Sequence, residues 1–208
     1  VARIGEVRDG HDFLPQCFEN GVTACLSQKV VAPTNGAIVL LVPDTGKALL
    51  DLTAYYRDLF DIPYIGVTGS VGKTTTKDMI ASVVSQKYET LWTQGNFNNE
   101  VGVPLTMFRI EDHHQAAIIE MGMNHFGELD RIAKAVRPHI GVISNVGVAH
   151  IEYLGSREGI LKAKCEMLGH MDANGVAILN ADNDMLQTLE GKLPQKIRWF
   201  GVENKKDF

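Results

Sequence analysis

The stretch YIGVTGSVGKTTTKDMI, residues 64–80, joins an apolar run to an amphipathic one through a turn rich in glycine and threonine. Its first five residues predict a buried strand over 64–68, and the residues after the turn predict a helix over 73–86. Gly69 and Gly72 let the N–H groups of the turn point inward around an anion with no Cβ in the way. A helix starting at Lys73 aims its free N–H groups and the positive end of its dipole at the same place. There the Lys73 ammonium can neutralise phosphate oxygens, and the Thr74 hydroxyl can ligate Mg2+. These features describe a cradle for a nucleoside triphosphate. The common template G-x-x-x-x-G-K-[ST] is not met, because its first glycine falls on Val67; the spacing is the shorter T-G-x-x-G-K-T. A dinucleotide fingerprint is also absent, with glycines at 66, 69 and 72. The bland alternative is a glycine turn that only caps a helix. A strand before it, a helix after it and Lys-Thr at the junction favour the cradle.

Outward from that stretch, Pro63 marks a boundary. Downstream, strand 116–120, helix 126–136, strand 140–146, helix 157–171 and strand 175–179 alternate, which predicts an α/β fold with a parallel sheet flanked by helices. Upstream, GAIVLLV (36–42) predicts a buried strand, and 47–60 a helix with Leu49, Leu52 and Leu59 on one side. The composition is 45% apolar and 22% charged with a net charge of −5. That is ordinary for a soluble globular protein and lacks the basic surplus that nucleic acid would demand. Cys17, Cys25 and Cys165 fit no metal-ligand spacing and suit reduced thiols packed as small core residues in the cytosol. No apolar run reaches the ~18 residues of a membrane span and no signal-peptide pattern opens the chain. A cytoplasmic protein without membrane insertion is expected. The chain opens on Val1 and closes in VENKKDF, and both ends read as cut.

Open parallel sheets bind ligands beyond the carboxyl ends of their strands. Two further candidates for metal ligation fall there. AAIIEMG ends an apolar strand on Glu120, where a lone carboxylate is costly unless it meets a cation or donors. GVISNVGVAH ends another strand and delivers His150 just beyond it. Taken singly, Glu120 could be a capping or ion-paired carboxylate and His150 a loop histidine; together with Thr74 at a third strand end they favour Mg2+. On helix 157–171, Ile160, Leu161, Met167, Leu168 and Met171 span one face with Lys164 near its centre, while Lys162 and Glu166 fall opposite. An inward lysine loses solvation, its pKa falls, and the neutral amine becomes available for chemistry, including carbamylation by CO2. The alternative is a snorkelling stem with its ammonium at the rim.

The blocks TGSVGKTT, GNFNNEVGVP (95–104), IIEMGMNHFGEL (118–129), NVGVAHIEYLGS (145–156), KAKCEM and LNADND, in that order, resemble the Mur ligases. VRDGHDFLPQCFENGV (7–22) is similar to the end of that family's first, UDP-substrate-binding domain. The resemblance implies residues 1–61 as the partial, small α/β N-terminal domain and 62–208 as an incomplete central, P-loop-type ATP-binding domain. It implies an ATP-dependent amide ligase, closest to the branch that joins D-Ala-D-Ala to UDP-N-acetylmuramoyl-tripeptide in peptidoglycan precursor synthesis. In that reaction ATP phosphorylates the terminal carboxylate and the acyl phosphate is attacked by the incoming amine.

Carried onto this chain, the resemblance assigns ATP binding to Thr68, Gly69, Ser70, Val71, Gly72, Lys73, Thr74 and Thr75. Thr74 and Glu120 ligate one Mg2+; His150 and a carbamylated Lys164 serve a second. Lys73, Lys164 and His150 are the implied catalytic residues, and Asn96, Asn98, Asn99 and His125 line the substrate side. A monomer is expected. Family members carry a longer first domain, an adenine-contacting asparagine motif and a C-terminal domain that brings the amino substrate, none of which lies in these 208 residues. Alternatives are another Mur-type or folylpolyglutamate-type ligase, or an ATP-binding switch module that is not a ligase.

Overall fold

The computed structural model describes residues 1–5 and 7–204; the last four residues of the VENKKDF run lie outside the described residues. The chain divides into two compact units, Val1–Leu52 and Thr53–Phe208.

The first unit contains helix α1 (Leu14–Glu19) and two parallel strands, β1 (Ala24–Ser27) and β2 (Ile38–Leu41), and helix α2 (Thr45–Arg57) runs across the division. Its core is small: Ala2, Leu14, Phe18, Cys25 and Ala37. Two expectations are corrected here. GAIVLLV forms a strand, but Ile38, Leu40 and Leu41 are exposed. A continuous apolar run signals a strand covered on both faces, and β2 has one strand neighbour in a two-stranded sheet. The buried stripe of α2 is Thr45, Leu49, Leu50 and Thr53; Leu49 is buried as expected, but Leu52 is exposed and Leu59, also exposed, lies beyond the end of the helix. Thr45 holds that phase by donating its hydroxyl to the Ala2 carbonyl at 2.7 Å, so a threonine takes the place that an apolar count gives to leucine.

The second unit is a six-stranded, wholly parallel sheet. Strand β3 (Tyr64–Thr68) leads into helix α3 (Lys73–Val84), then β4 (Thr90–Trp92), α4 (Gly102–Met107), β5 (Ala116–Glu120), α5 (Glu128–Val136) and β6 (Ile140–Ile143). Short α6 (Ile151–Leu154), α7 (Arg157–Cys165), β7 (Val176–Asn180), α8 (Asp184–Gln187) and β8 (Lys196–Phe200) complete it. The strand order is β4-β5-β3-β6-β7-β8. All five residues of β3 and of β5 are buried, as expected for strands with helices on both faces. Helix α5 buries Leu129, Ile132, Ala133 and Val136, the i, i+3, i+4, i+7 stripe of a helix lying on a core. The edge strand β8 keeps Lys196 and Arg198 outward, which blunts an open edge.

Two expected elements are shorter. Strand 140–146 ends at Ile143; Ser144 N still donates to Thr68 O at 3.0 Å, but the Ser144 hydroxyl and Asn145 bond the loop at residues 70–71. Helix 157–171 ends at Cys165 and tightens into a 3-10 turn at Leu168–His170. The order of strands places a switch point at β3: the chain moves outward to β4 and β5 on one side and then to β6 on the other. Ligands of open α/β sheets bind at the carboxyl ends of such strands.

Candidate active site

The cradle lies at that switch point. Gly72 has φ 77°, a left-handed conformation that glycine adopts without a Cβ penalty, and caps α3 with no side-chain hydrogen bond. Thr76 N donates back to Gly72 O at 2.9 Å. The amides of Lys73, Thr74 and Thr75 are first-turn donors of α3, which have no acceptor within their own helix. Lys73 Nζ donates to Gly69 O at 3.0 Å and so arches back over the loop. A Cβ on Gly69 would overlap the Ser144 hydroxyl, so this position requires glycine. Thr74 and Thr75 are exposed, while Thr68 is buried with its Oγ1 unpartnered among the described residues.

The loop is held from the end of β6. Ser70 N and Val71 N both donate to Asn145 Oδ1 at 3.0 Å, and Ser70 N also reaches Asn145 O at 3.1 Å. Ser144 Oγ donates to Val71 O at 2.8 Å, and Gly147 N donates to Ser70 Oγ at 3.0 Å. Sequence reasoning missed Ser144 and Asn145. Their only signal was two hydrogen-bonding side chains at the end of an apolar strand.

Glu120 stands in register with Val67 at the end of β5 and is 1% exposed. Its Oε1 accepts from Asn98 Nδ2 at 2.7 Å, and its Oε2 has no partner among the described residues. A buried carboxylate with a free oxygen is the donor chemistry of a hard cation. Among the described residues no three His, Cys, Asp or Glu side chains converge as a metal cage. Mg2+ does not need one, since it is commonly held by one or two carboxylates together with substrate phosphates and water. Glu120 and the Thr74 hydroxyl fit that pattern. His150 opens α6 with φ 64° and is half-buried, its carbonyl accepting from Tyr153 N and Leu154 N.

Lys164 is 2% exposed on α7, with Ile160, Met167 and Leu168 buried beside it. Burial, and secondarily the positive charge of Lys73, pulls its pKa from 10.5 down to about 7. Lys162 is exposed, with its ammonium 5.9 Å from the Phe126 ring centre. The helix phase read from the sequence therefore holds. Glu166 departs from it. Instead of facing water it accepts from Gly127 N at 2.9 Å and Asp130 N at 3.1 Å, capping the start of α5. The neighbouring Cys165 thiol is pushed up to about 11 by burial, and all three cysteines are free.

Of the predicted substrate-side residues, Asn98 meets Glu120, and Gly122 N donates to Asn98 O at 2.7 Å. Asn99 Oδ1 accepts from Val101 N and Gly102 N at 3.0 and 2.8 Å, holding the turn into α4. Asn96 is exposed, and its carbonyl accepts from Asn98 N. His125 is exposed, lies 3.2 Å from Glu128 and packs its ring 4.4 Å from that of Tyr153, which links the loop after β5 to α6.

Residues 67–208 match the Mur ligase middle domain. A relative from Synechocystis, named UDP-N-acetylmuramoyl-tripeptide--D-alanyl-D-alanine ligase, is 45% identical over 98% of this chain and 45% of its own length. The Bacillus subtilis protein of the same name is 44% identical over 88% of this chain and 40% of its own. Among solved structures, MurF from Acinetobacter baumannii superposes with a TM-score of 0.90 at 39% identity, covering 96% of this chain and 44% of that one. MurF ligase from Thermotoga maritima in complex with ADP gives 0.88 at 31% identity, covering 98% and 47%. The chain thus spans about half the length of the curated relatives it matches. With a matched model over most of its length, this chain belongs to the Mur ligase family.

Proposed function

We propose that this chain is the nucleotide-binding part of an ATP-dependent amide ligase that adds D-Ala-D-Ala to UDP-N-acetylmuramoyl-tripeptide. The observation that carries the reading is the buried Glu120, one oxygen fixed by Asn98 and the other unpartnered, at the strand end beside the T-G-x-x-G-K-T loop. The names of the relatives supply the substrates.

In this reading the amides of Gly72–Thr75 and the Lys73 ammonium bind the β- and γ-phosphates, with Thr68–Val71 shaping the rest of the cradle. Thr74 and Glu120 hold one Mg2+, and His150 with Lys164 serves a second. Bound Mg2+ supplies charge neutralisation between the phosphates and the substrate carboxylate. The tripeptide carboxylate attacks the γ-phosphorus and ADP leaves; the dipeptide amine then attacks the acyl carbon, losing a proton as phosphate departs. Asn96, Asn98, Asn99 and His125 face the muramyl substrate. Lys164, with its pKa near neutrality, offers a fraction of free amine to CO2; the nitrogen would add to the carbon as one C=O π bond opens and a proton leaves to solvent, giving a carbamate anion that Mg2+ would pair where a buried ammonium is costly.

Residues 1–61 belong to the domain that binds the UDP-linked substrate, and 62–208 to the ATP domain. The enzyme works as a cytoplasmic monomer; among the described residues no helix is long and apolar enough to cross a membrane. The test is ADP release by the intact protein with UDP-N-acetylmuramoyl-tripeptide and D-Ala-D-Ala, each omitted in turn. Release should require the tripeptide substrate. Release independent of any carboxylate would mark an ATP-binding switch, and preference for a diamino acid or glutamate would mark another ligase of the superfamily.

A further inference from the structure

We propose that Asn145 is a positioning residue for nucleotide binding: it holds the phosphate loop in its binding shape from a neighbouring strand without touching the phosphates. The inference rests on the cradle reading above and assigns a role to a residue which that reading leaves out.

The loop is short and carries two glycines, so its backbone is permissive and needs an external restraint to keep one shape. Asn145 supplies it. One amide oxygen has two lone pairs, and Oδ1 uses them on the consecutive N–H groups of Ser70 and Val71, both at 3.0 Å. Those donors are thereby turned toward β6, which leaves the amides from Gly72 onward to face an anion. The asparagine is itself anchored on both sides. Asn180 Nδ2 donates to Ser144 O at 3.0 Å, and Val146 O accepts from Asn183 Nδ2 at 3.2 Å and Arg157 Nη2 at 3.0 Å. Arg157 is in turn gripped by Asp184. The LNADND block therefore acts on the phosphate loop through residues 144–146, the segment that continues to His150.

The experiment measures Mg-ATP affinity by calorimetry, well below the melting temperature, together with amide hydrogen exchange at Ser70 and Val71 in the nucleotide-free protein. Asn145→Ala should bind Mg-ATP about tenfold more weakly, since two ordering hydrogen bonds are lost, and both amides should exchange faster. A role confined to stability would lower the melting temperature and leave affinity unchanged at the lower temperature; that result overturns the inference. Asn145→Asp keeps an acceptor oxygen within reach, so the two amides should stay slow, while its charge beside the polyphosphate weakens Mg-ATP binding. Fast exchange in Asn145→Asp would equally overturn it, even if Asn145→Ala failed to fold. Lys73→Ala separates the two readings: it should lose ATP affinity with both amides still protected, and wild-type affinity there would contradict the cradle itself.

Discussion

Asn98 Nδ2 donates to Glu120 Oε1 at 2.7 Å, while Oε2 of the same buried carboxylate meets no partner among the described residues. The hydrogen bond holds one oxygen of the carboxylate and leaves the other unpaired at a strand end, an arrangement that favours a cation. Glu120→Gln should therefore raise the Mg2+ concentration needed for half-maximal nucleotide binding by about tenfold or more. Its metal-free stability should not fall, because an incompletely paired buried charge is removed. A magnesium titration of nucleotide binding, with a thermal melt in chelator, checks both.

Gly69 packs against the Ser144 hydroxyl so closely that any Cβ would overlap it. Gly69→Ala should cost about 1–3 kcal/mol of stability through forced displacement and should impair ATP binding. In a Ser144→Gly background the same change should cost less, because the overlapping group is gone. Melting temperatures of the two single variants and the double variant give the coupling.

Burial pulls the pKa of the Lys164 ammonium from an ordinary 10.5 down to about 7. Since its folded pKa is the lower one, the unfolded chain binds more protons between those values, and stability rises with pH across the window. The cost of the buried charge is full below about pH 7 and gone above about 10.5. Lys164→Met should be more stable than the parent by on the order of 2–4 kcal/mol at pH 6, with the two converging by about pH 10. Urea unfolding in CO2-free buffer at several pH values measures this, and parallel curves would contradict it.

Glu166 caps α5 by accepting from Gly127 and Asp130 amides. Glu166→Ala should destabilise the protein by about 1 kcal/mol, the usual worth of an N-terminal cap. Glu166→Gln, which keeps an acceptor, should cost less.

The features legible in the sequence were those carried by local pattern. The unbroken apolar runs of β3 and β5, the stripe of α5 and the inward phase of Lys164 each follow from a period that a single segment displays. Strand β4 has only three residues, Thr90–Trp92, and β8 alternates charge with apolar residues at a sheet edge; neither offers a run long enough to recognise. Asn145 and Glu166 were invisible for another reason. Their partners lie 75 and 39 residues away, and no periodicity records a contact between side chains and distant backbone amides. The exposed apolar face of β2 misled in the opposite direction, because composition reports that a residue is apolar and not what covers it.

The central claim is that the loop at residues 68–75 binds the phosphates of ATP through Lys73 and the start of α3. Calorimetric titration of Mg-ATP into the wild-type protein and into Lys73→Ala, with circular dichroism to establish that both are folded, tests it most directly. The account predicts saturable one-site binding to the wild type and its loss, by at least about a hundredfold, in Lys73→Ala. Equal affinity in two equally folded proteins would contradict it.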